Sequence, residues 1–420
     1  MADVNRFDVV IVGAGIAGAS LALALRGQGL RIALVEARSM QPPSLPQTVA
    51  VDDFDLRVSA LTPRSRTFLE GLGVWSAITD YRCCTYRHMT VWDAQGTGQI
   101  DFDESDVGGA ALGHIVENRA IVSALVNALQ SCADVMVYEG SGLTDCERLG
   151  AFLENSDTND PDSASEGLVR LTLANESVLE AQLVVAADGA LSKIRDLMSF
   201  ETREWDYGHR AIVATVAVED THQFTAWQSF APDGPLALLP LYADEEQTLV
   251  SIVWSQDEAA ADALMALDDA AFCAALGVAS EHRLGAVTGC SQRAAFPLRQ
   301  RHAIDYVQAG VALVGDAAHT IHPLAGQGIN LGLQDVAALA QQLISASARD
   351  ESLGDVAVLR RYQRVRKGDN LLMMAAMDGF KRLFEQPALP VRWLRNTGMR
   401  MLDGVVPIKA QIMRHAMGLD

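Results

Sequence analysis

The stretch Phe7–Leu25, "FDVVIVGAGIAGASLALAL", constrains the fold of this chain more than any other. Its first six residues, rich in β-branched side chains, suit a central parallel strand. Gly13, Gly15 and Gly18 follow at once, and a helical run follows them. In that setting Gly13 permits a tight turn, Gly15 lets the backbone approach a pyrophosphate, and Gly18 lets helix and strand pack closely. The free N–H groups of the first helical turn then face the phosphates. "LRIALVEAR" supplies the next strand and carries Glu36 at its end, placed to accept both ribose hydroxyls of an adenosine. Strand, turn, helix, strand and acid together predict a dinucleotide site, with NAD and FAD both open at this point. "GTGQID" and "GSGLTD" lack the third glycine and a following helix, so no second nucleotide domain for a nicotinamide cofactor is expected.

Two later segments repeat the theme of an acid beside a glycine after a strand. "LEAQLVVAADGALSKIRDLM" places a strand over 183–187 directly before Asp188-Gly189. Open α/β sheets bind ligands at that end of a strand. A plain strand-to-helix turn with Asp188 as N-cap reads equally well. In "GVALVGDAAHTIHPLAGQGINLGLQDVAALAQQL" a strand meets Gly315-Asp316, then a loop, then a long helix. Asp316 can accept hydrogen bonds from ribityl or ribose hydroxyls, and Gly326 and Gly328 let backbone lie against a flat ligand. A helix N-terminus there would favour the anionic edge of a reduced flavin by ~1–2 kcal/mol. That raises a two-electron potential by a few tens of millivolts, at ~30 mV per 1.4 kcal/mol. A flavin explains this second cluster and NAD does not: the opening turn takes the adenine half and this one the redox half. His319 and His322 do not make a metal pair, because Pro323 and the glycines break any helix presenting both and no Cys or Asp/Glu pair completes a set.

The 420 residues predict two or three domains. A net charge of −20 argues against nucleic-acid partners. No apolar run approaches the ~18–20 residues of a membrane span, and "MADVNRF" leads straight into a strand, so no leader peptide is expected. Cys83, Cys84, Cys132, Cys146, Cys273 and Cys290 form no CxxC pair and read as thiols of a reducing compartment, which predicts a cytoplasmic protein.

Between about 205 and 290 the pattern changes to alternating strands such as "AIVATVAV", "PLALLPL" and "TLVSIVWS", suited to an antiparallel sheet over a ligand. "ENSDTNDPDSASEGLV" reads as an exposed hairpin loop. Tyr207 and His209 stand before an apolar strand; either could activate a phenol or merely cap the strand end, and neither is assigned. From Lys381 to Arg414 seven basic residues face only Glu385 and Asp403, interleaved with apolar side chains. This tail is either a contact for a membrane surface or partner protein, or a helix whose charges face the acidic body.

With these motifs in place the chain resembles the single-component FAD-dependent aromatic hydroxylases, the p-hydroxybenzoate hydroxylase group. Within it, "HPLAGQGINLGLQD" resembles the signature of the ubiquinone-biosynthesis hydroxylases at every fixed position. "DLRVSALTPRS", "LGHIVEN", "LALLPL" and "PIKAQIMRHAMGL" resemble the bacterial polyprenylphenol hydroxylases among them. The resemblance implies an α/β fold: a Rossmann-like FAD-binding domain (1–75, 105–195 and 285–345), an inserted antiparallel-sheet substrate domain (76–104 and 196–284), and a helical C-terminal region (346–420). It implies that Gly13, Gly15 and Gly18 hold the FAD pyrophosphate, Glu36 the ribose, and that Arg57 reaches back to the pyrophosphate. Asp188 would serve FAD and a visiting NADH or NADPH, Gly315-Asp316 the ribityl chain, and the loop from Pro323 through Gly326 and Gly328 to Asn330 the isoalloxazine. Arg119 resembles an arginine that contacts FAD in the wider group. The implied activity is hydroxylation of a polyprenylated phenol in ubiquinone biosynthesis with NAD(P)H and O2 through a C4a-hydroperoxyflavin. Partners in a biosynthetic complex and peripheral contact with the inner membrane follow from the same resemblance. A small soluble aromatic as substrate, or a flavin-bearing structural component of such a complex, are the alternatives.

Overall fold

The computed structural model describes residues 5–109, 111–150, 167–242, 246–320, 328–385, 389–403 and 405–417, with part of the side chains in the last helices left aside. Among the described residues the strands form three sheets. The first carries five strands in parallel, in the order Val311–Leu313, Val178–Ala186, Asn5–Val12, Ile32–Glu36, Val135–Glu139. Phe7 and Val9 to Val12 are buried, as a strand covered on both faces requires. Helices Ile16–Ala24 and Asn118–Gln130 pack against each other. The antiparallel strands Leu143–Leu149 and Leu168–Leu173 flank 151–166, where most of the expected hairpin loop falls outside the described residues.

The second sheet is nine-stranded and antiparallel except for one parallel pair, Thr225–Ala231 with His88–Asp93. Its spine is the 17-residue strand Thr202–Val218, so Tyr207 and His209 lie inside a strand rather than before one. The register shifts between Asp206 and His209, where Gly208 takes φ +63°. The extra residues let the strand bend without losing its pairing. Val287–Cys290 and Ala294–Ala303, in the stretch expected to belong to the FAD-binding domain, pair with this strand and not with the parallel sheet. Strand Cys84–Tyr86 likewise sits apart from the large sheet, in a small one with Val58–Leu61 and Gly113–Glu117.

The two faces of the large sheet bury different partners. Ile212, Leu236, Leu238, Ile252 and Trp254 pack beneath helices Glu258–Met265 and Asp269–Ala279. Ala237, Leu239 and Leu249 point the other way, toward Ala60, Tyr86 and Ile115 of the small sheet. "PLALLPL" is thus a buried strand serving both faces.

The basic tail forms helices Leu389–Asp403 and Val406–Met417 after the long helix Val356–Glu385. Arg395 is buried against Asp93, donating from Nε at 2.8 Å with a further Nη2 contact at 2.6 Å, and Asn396 donates to the same carboxylate at 2.9 Å. Lys409 reaches Asp106 at 3.0 Å and the Asp101 carbonyl at 2.7 Å. Two of the tail's cations therefore face the acidic body. Arg400 and Arg414 remain exposed, beside exposed Met401, Val405 and Ile408. Among the described residues no helix is long and apolar enough to cross a membrane.

Candidate functional site

Three turns, separated by more than a hundred residues each, meet around Gly13–Ala17. Gly13 turns with φ +100°, and a methyl group on it would lie 2.5 Å from the Ala187 carbonyl oxygen and 2.8 Å from the Asp188 Cα. Gly18 has no room either: an added methyl would collide with the Gly13 carbonyl and come 3.1 Å from Ala187 Cβ. The Asp188 turn therefore packs directly on the glycine turn. From the other side, a methyl on Gly315 would stand 3.5 Å from Ala17 Cβ and 3.7 Å from Gly332 Cα. Gly15 differs from its neighbours: no heavy atom lies within 4 Å of its absent side chain. It opens helix Ile16–Ala24 in extended backbone, φ −66° and ψ −174°. The first N–H groups of that helix have no partner within it, and open space lies beside Gly15.

Glu36 closes the loop. Its Oε2 accepts from Ala14 N at 2.8 Å and its Oε1 from Arg38 N at 3.0 Å, each leaving a lone pair. Asp188 divides its carboxylate between two roles. Oδ2 accepts from Lys193 N at 2.7 Å and Ile194 N at 3.3 Å, while buried Oδ1 has no hydrogen-bond partner among the described residues. The capping reading thus accounts for one oxygen only, and Ser192 is the N-cap proper.

Asp316 is exposed, yet enough protein surrounds it that desolvation raises its carboxyl above the usual value. His319 and Arg57 pull it down and Asp335 pushes it up. Arg57 is exposed, and its guanidinium makes no ion pair among the described residues while acting on Asp316 through space.

The remaining expected residues are committed elsewhere or lie out of view. Asn330, near the start of helix Gly328–Ser347, accepts from Thr62 N at 3.0 Å and Ser65 Oγ at 2.7 Å and donates to the Ala60 carbonyl at 2.8 Å. It ties the helix start to the small sheet. Arg119 meets Glu117 at 2.5 Å and the Asp53 carbonyl, leaving its buried Nε without a partner among the described residues. Arg82, stacked on Phe54 at 4.4 Å, shares Glu117. Pro323 and Gly326, with His322, lie outside the described residues. Among the described residues no cluster could hold a metal. The Tyr207 hydroxyl donates to Gln300 Oε1.

Sequence reasoning missed two connections. Arg195, 2 % exposed, donates to the Ala317 carbonyl at 3.2 Å and the Ala190 carbonyl at 3.0 Å, joining the Asp188 turn to the Asp316 turn. Asp335 accepts from Gly315 N at 3.1 Å and faces His319 Nε2 at 2.5 Å, with Arg366 Nε at 2.9 Å and Asn370 Nδ2 at 3.2 Å. Burial pushes Asp335 up, but His319 and Arg366 outweigh it and hold the carboxyl below its usual value. Asp335 closes the glycine-rich signature and so was visible; nothing local pointed to Arg366.

A family model described as "FAD binding domain" matches residues 6–368. The chain is 36 % identical over 412 residues to 3-demethoxyubiquinol 3-hydroxylase of Escherichia coli, covering 98 % of each chain. It is 34 % identical over 448 residues to ubiquinone biosynthesis monooxygenase COQ6, mitochondrial, of Homo sapiens, covering 98 % of this chain and 92 % of that one. Among solved structures, PqsL of Pseudomonas aeruginosa, described as a probable FAD-dependent monooxygenase, superimposes with a TM-score of 0.72 at 23 % identity over 94 % of this chain and all of the other.

Proposed function

Because the chain belongs to the family of FAD-dependent monooxygenases that includes the ubiquinone-biosynthesis hydroxylases, we propose that it hydroxylates the ring of a polyprenylated phenol, with NADH or NADPH as reductant. The observation that carries the reading is the meeting of the Gly13, Asp188 and Asp316 turns around one open helix N-terminus.

The residues suit FAD. Gly15 has free space where a pyrophosphate would approach, and the first turn of helix Ile16–Ala24 offers N–H donors to it. Glu36 keeps an acceptor on each oxygen for ribose hydroxyls, and Asp316, exposed at the Gly315 turn, offers a carboxylate to the ribityl chain. Arg57, in no ion pair among the described residues, supplies a positive charge for the phosphates, and Asp188 Oδ1, without a hydrogen-bond partner among them, gives an acceptor to FAD or to the visiting nicotinamide nucleotide. By resemblance, Pro323, Gly326 and Gly328 would contact the isoalloxazine, Pro323 and Gly326 lying outside the described residues. Asn330 holds the start of helix Gly328–Ser347 and Arg119 braces the loop at Asp53. Bound FAD supplies two-electron transfer and the activation of O2 toward an aromatic ring. The chain's own work is to orient the ring and exclude water.

The exposed Met401, Val405 and Ile408, with Arg400 and Arg414, are consistent with peripheral contact to an anionic membrane or a pathway partner. Mass spectrometry of quinone precursors in cells lacking the protein tests the substrate: a prenylated phenol short of one ring oxygen should accumulate, and an unchanged precursor pool overturns the reading. Vesicle flotation of the full chain tests the surface, with no recovery on anionic vesicles counting against membrane contact.

A further inference from the structure

The long C-terminal helix reaches the candidate flavin site through Arg366 and Asn370, which both donate to Asp335. Arg366, 1 % exposed, donates from Nε to Asp335 Oδ1 at 2.9 Å and from Nη2 to Asn370 Oδ1 at 2.8 Å, and pairs with Asp369 at 3.0 Å. Asp335, wholly buried, spends its other oxygen on Gly315 N and His319. Asn370 donates to Asp335 at 3.2 Å and reaches the Tyr306 hydroxyl at 3.5 Å. Every donor around Asp335 is thus supplied by protein, and solvent does not screen the pair. Charges so enclosed act strongly on their surroundings. Asp335 holds the backbone of the turn that presents Asp316, and the two carboxylates influence each other.

We infer that Arg366 and Asp335 are positioning residues that set the reduction potential of the bound flavin, as opposed buried charges behind the Gly315-Asp316 turn, with His319 also facing Asp335 and Asp369 also pairing with Arg366. This rests on the reading that the turn faces the redox half of FAD. The reduced cofactor carries negative charge. Asp335 without Arg366 would therefore oppose reduction, and Arg366 without Asp335 would favour it. A scaffold role alone has no such sign: losing either partner would loosen the same turn in the same way.

The test is spectroscopic redox titration of FAD-loaded protein at mildly alkaline pH, with FAD retention measured alongside. Arg366→Met should lower the midpoint potential and Asp335→Asn should raise it, each by a reduced-to-oxidised ratio of about tenfold, which is about 30 mV for a two-electron couple. The double variant, neutral at both positions, should return toward the parent value, and Arg366→Lys should stay close to it. If Arg366→Met fails to fold, Asp335→Asn and the double variant still decide. Shifts of the same sign, or none, overturn the inference. Asp316→Ala separates the two readings. If it releases FAD while the charge variants show no opposed shifts, only the inference falls. If FAD retention survives Asp316→Ala and no variant shifts the potential, the placement of FAD at this turn falls as well.

Discussion

Two glycines of one turn should fail in opposite ways. At Gly18 an added methyl meets backbone, the Gly13 carbonyl above all, with Gly13 C at 3.0 Å and Ala187 Cβ at 3.1 Å. Neither the turn nor the strand end can yield as a flexible side chain would, so Gly18→Ala should destabilise the apoprotein by at least the ~1–3 kcal/mol of ordinary overpacking. At Gly15 nothing lies within 4 Å and the backbone is one that alanine adopts freely. Alanine is the poorer N-cap by ~1 kcal/mol, while a stiffer unfolded chain returns ~0.4–1 kcal/mol. Gly15→Ala should therefore leave apoprotein stability within about 1 kcal/mol of the parent. Its methyl nevertheless occupies the approach to the helix N–H groups. Losing one charge-assisted hydrogen bond to phosphate costs ~1.5–3 kcal/mol, or about 10- to 150-fold in FAD affinity. Urea denaturation of the apoproteins and FAD titration by flavin fluorescence measure the two quantities separately. Parent-like FAD binding by Gly15→Ala would refute the assignment of that open space to the cofactor.

Acid should weaken the fold through His114. Burial drives it down to about 4, with Arg66 adding to the effect and Glu70 opposing it, while its ring stands edge-on to Trp75 at 5.1 Å. Its folded-state value lies below that of the unfolded chain, so the unfolded state takes up the proton first. Stability is then whole above the ordinary histidine value and falls by up to ~1.4 kcal/mol per pH unit between that value and about 4. His114→Phe should flatten that stretch of a stability–pH curve, and an unaltered slope would reject the cause. Asp93→Ala should strand the buried Arg395, whose side chain is 1 % exposed against 0 % for Asp93. A cost of ~3–5 kcal/mol should release helix Leu389–Asp403 to trypsin; an unchanged cleavage pattern would show that other contacts dock it.

Where the chemistry depends on neighbours in sequence, the chain was legible. A β-branched run, three glycines and an acid specify the turn at Gly13 because φ, close approach and strand-end placement are local demands. The Asp188 and Asp316 turns were legible for the same reason, and so was the division into a parallel and an antiparallel sheet. Tertiary structure decided how charges were spent. Arg195 reaches Ala317 across more than a hundred residues, Arg366 neutralises Asp335 from another helix, and Arg395 finds Asp93 from the far end of the chain. In the sequence these arginines look like any others, and nothing local shows that Asn330 and Arg119 brace the backbone at Ala60 and Asp53. Backbone geometry is set by a few adjacent residues, whereas the partner of a buried charge is set by whichever opposite charge the completed fold brings within about 3 Å, and that is a property of the assembled layers alone.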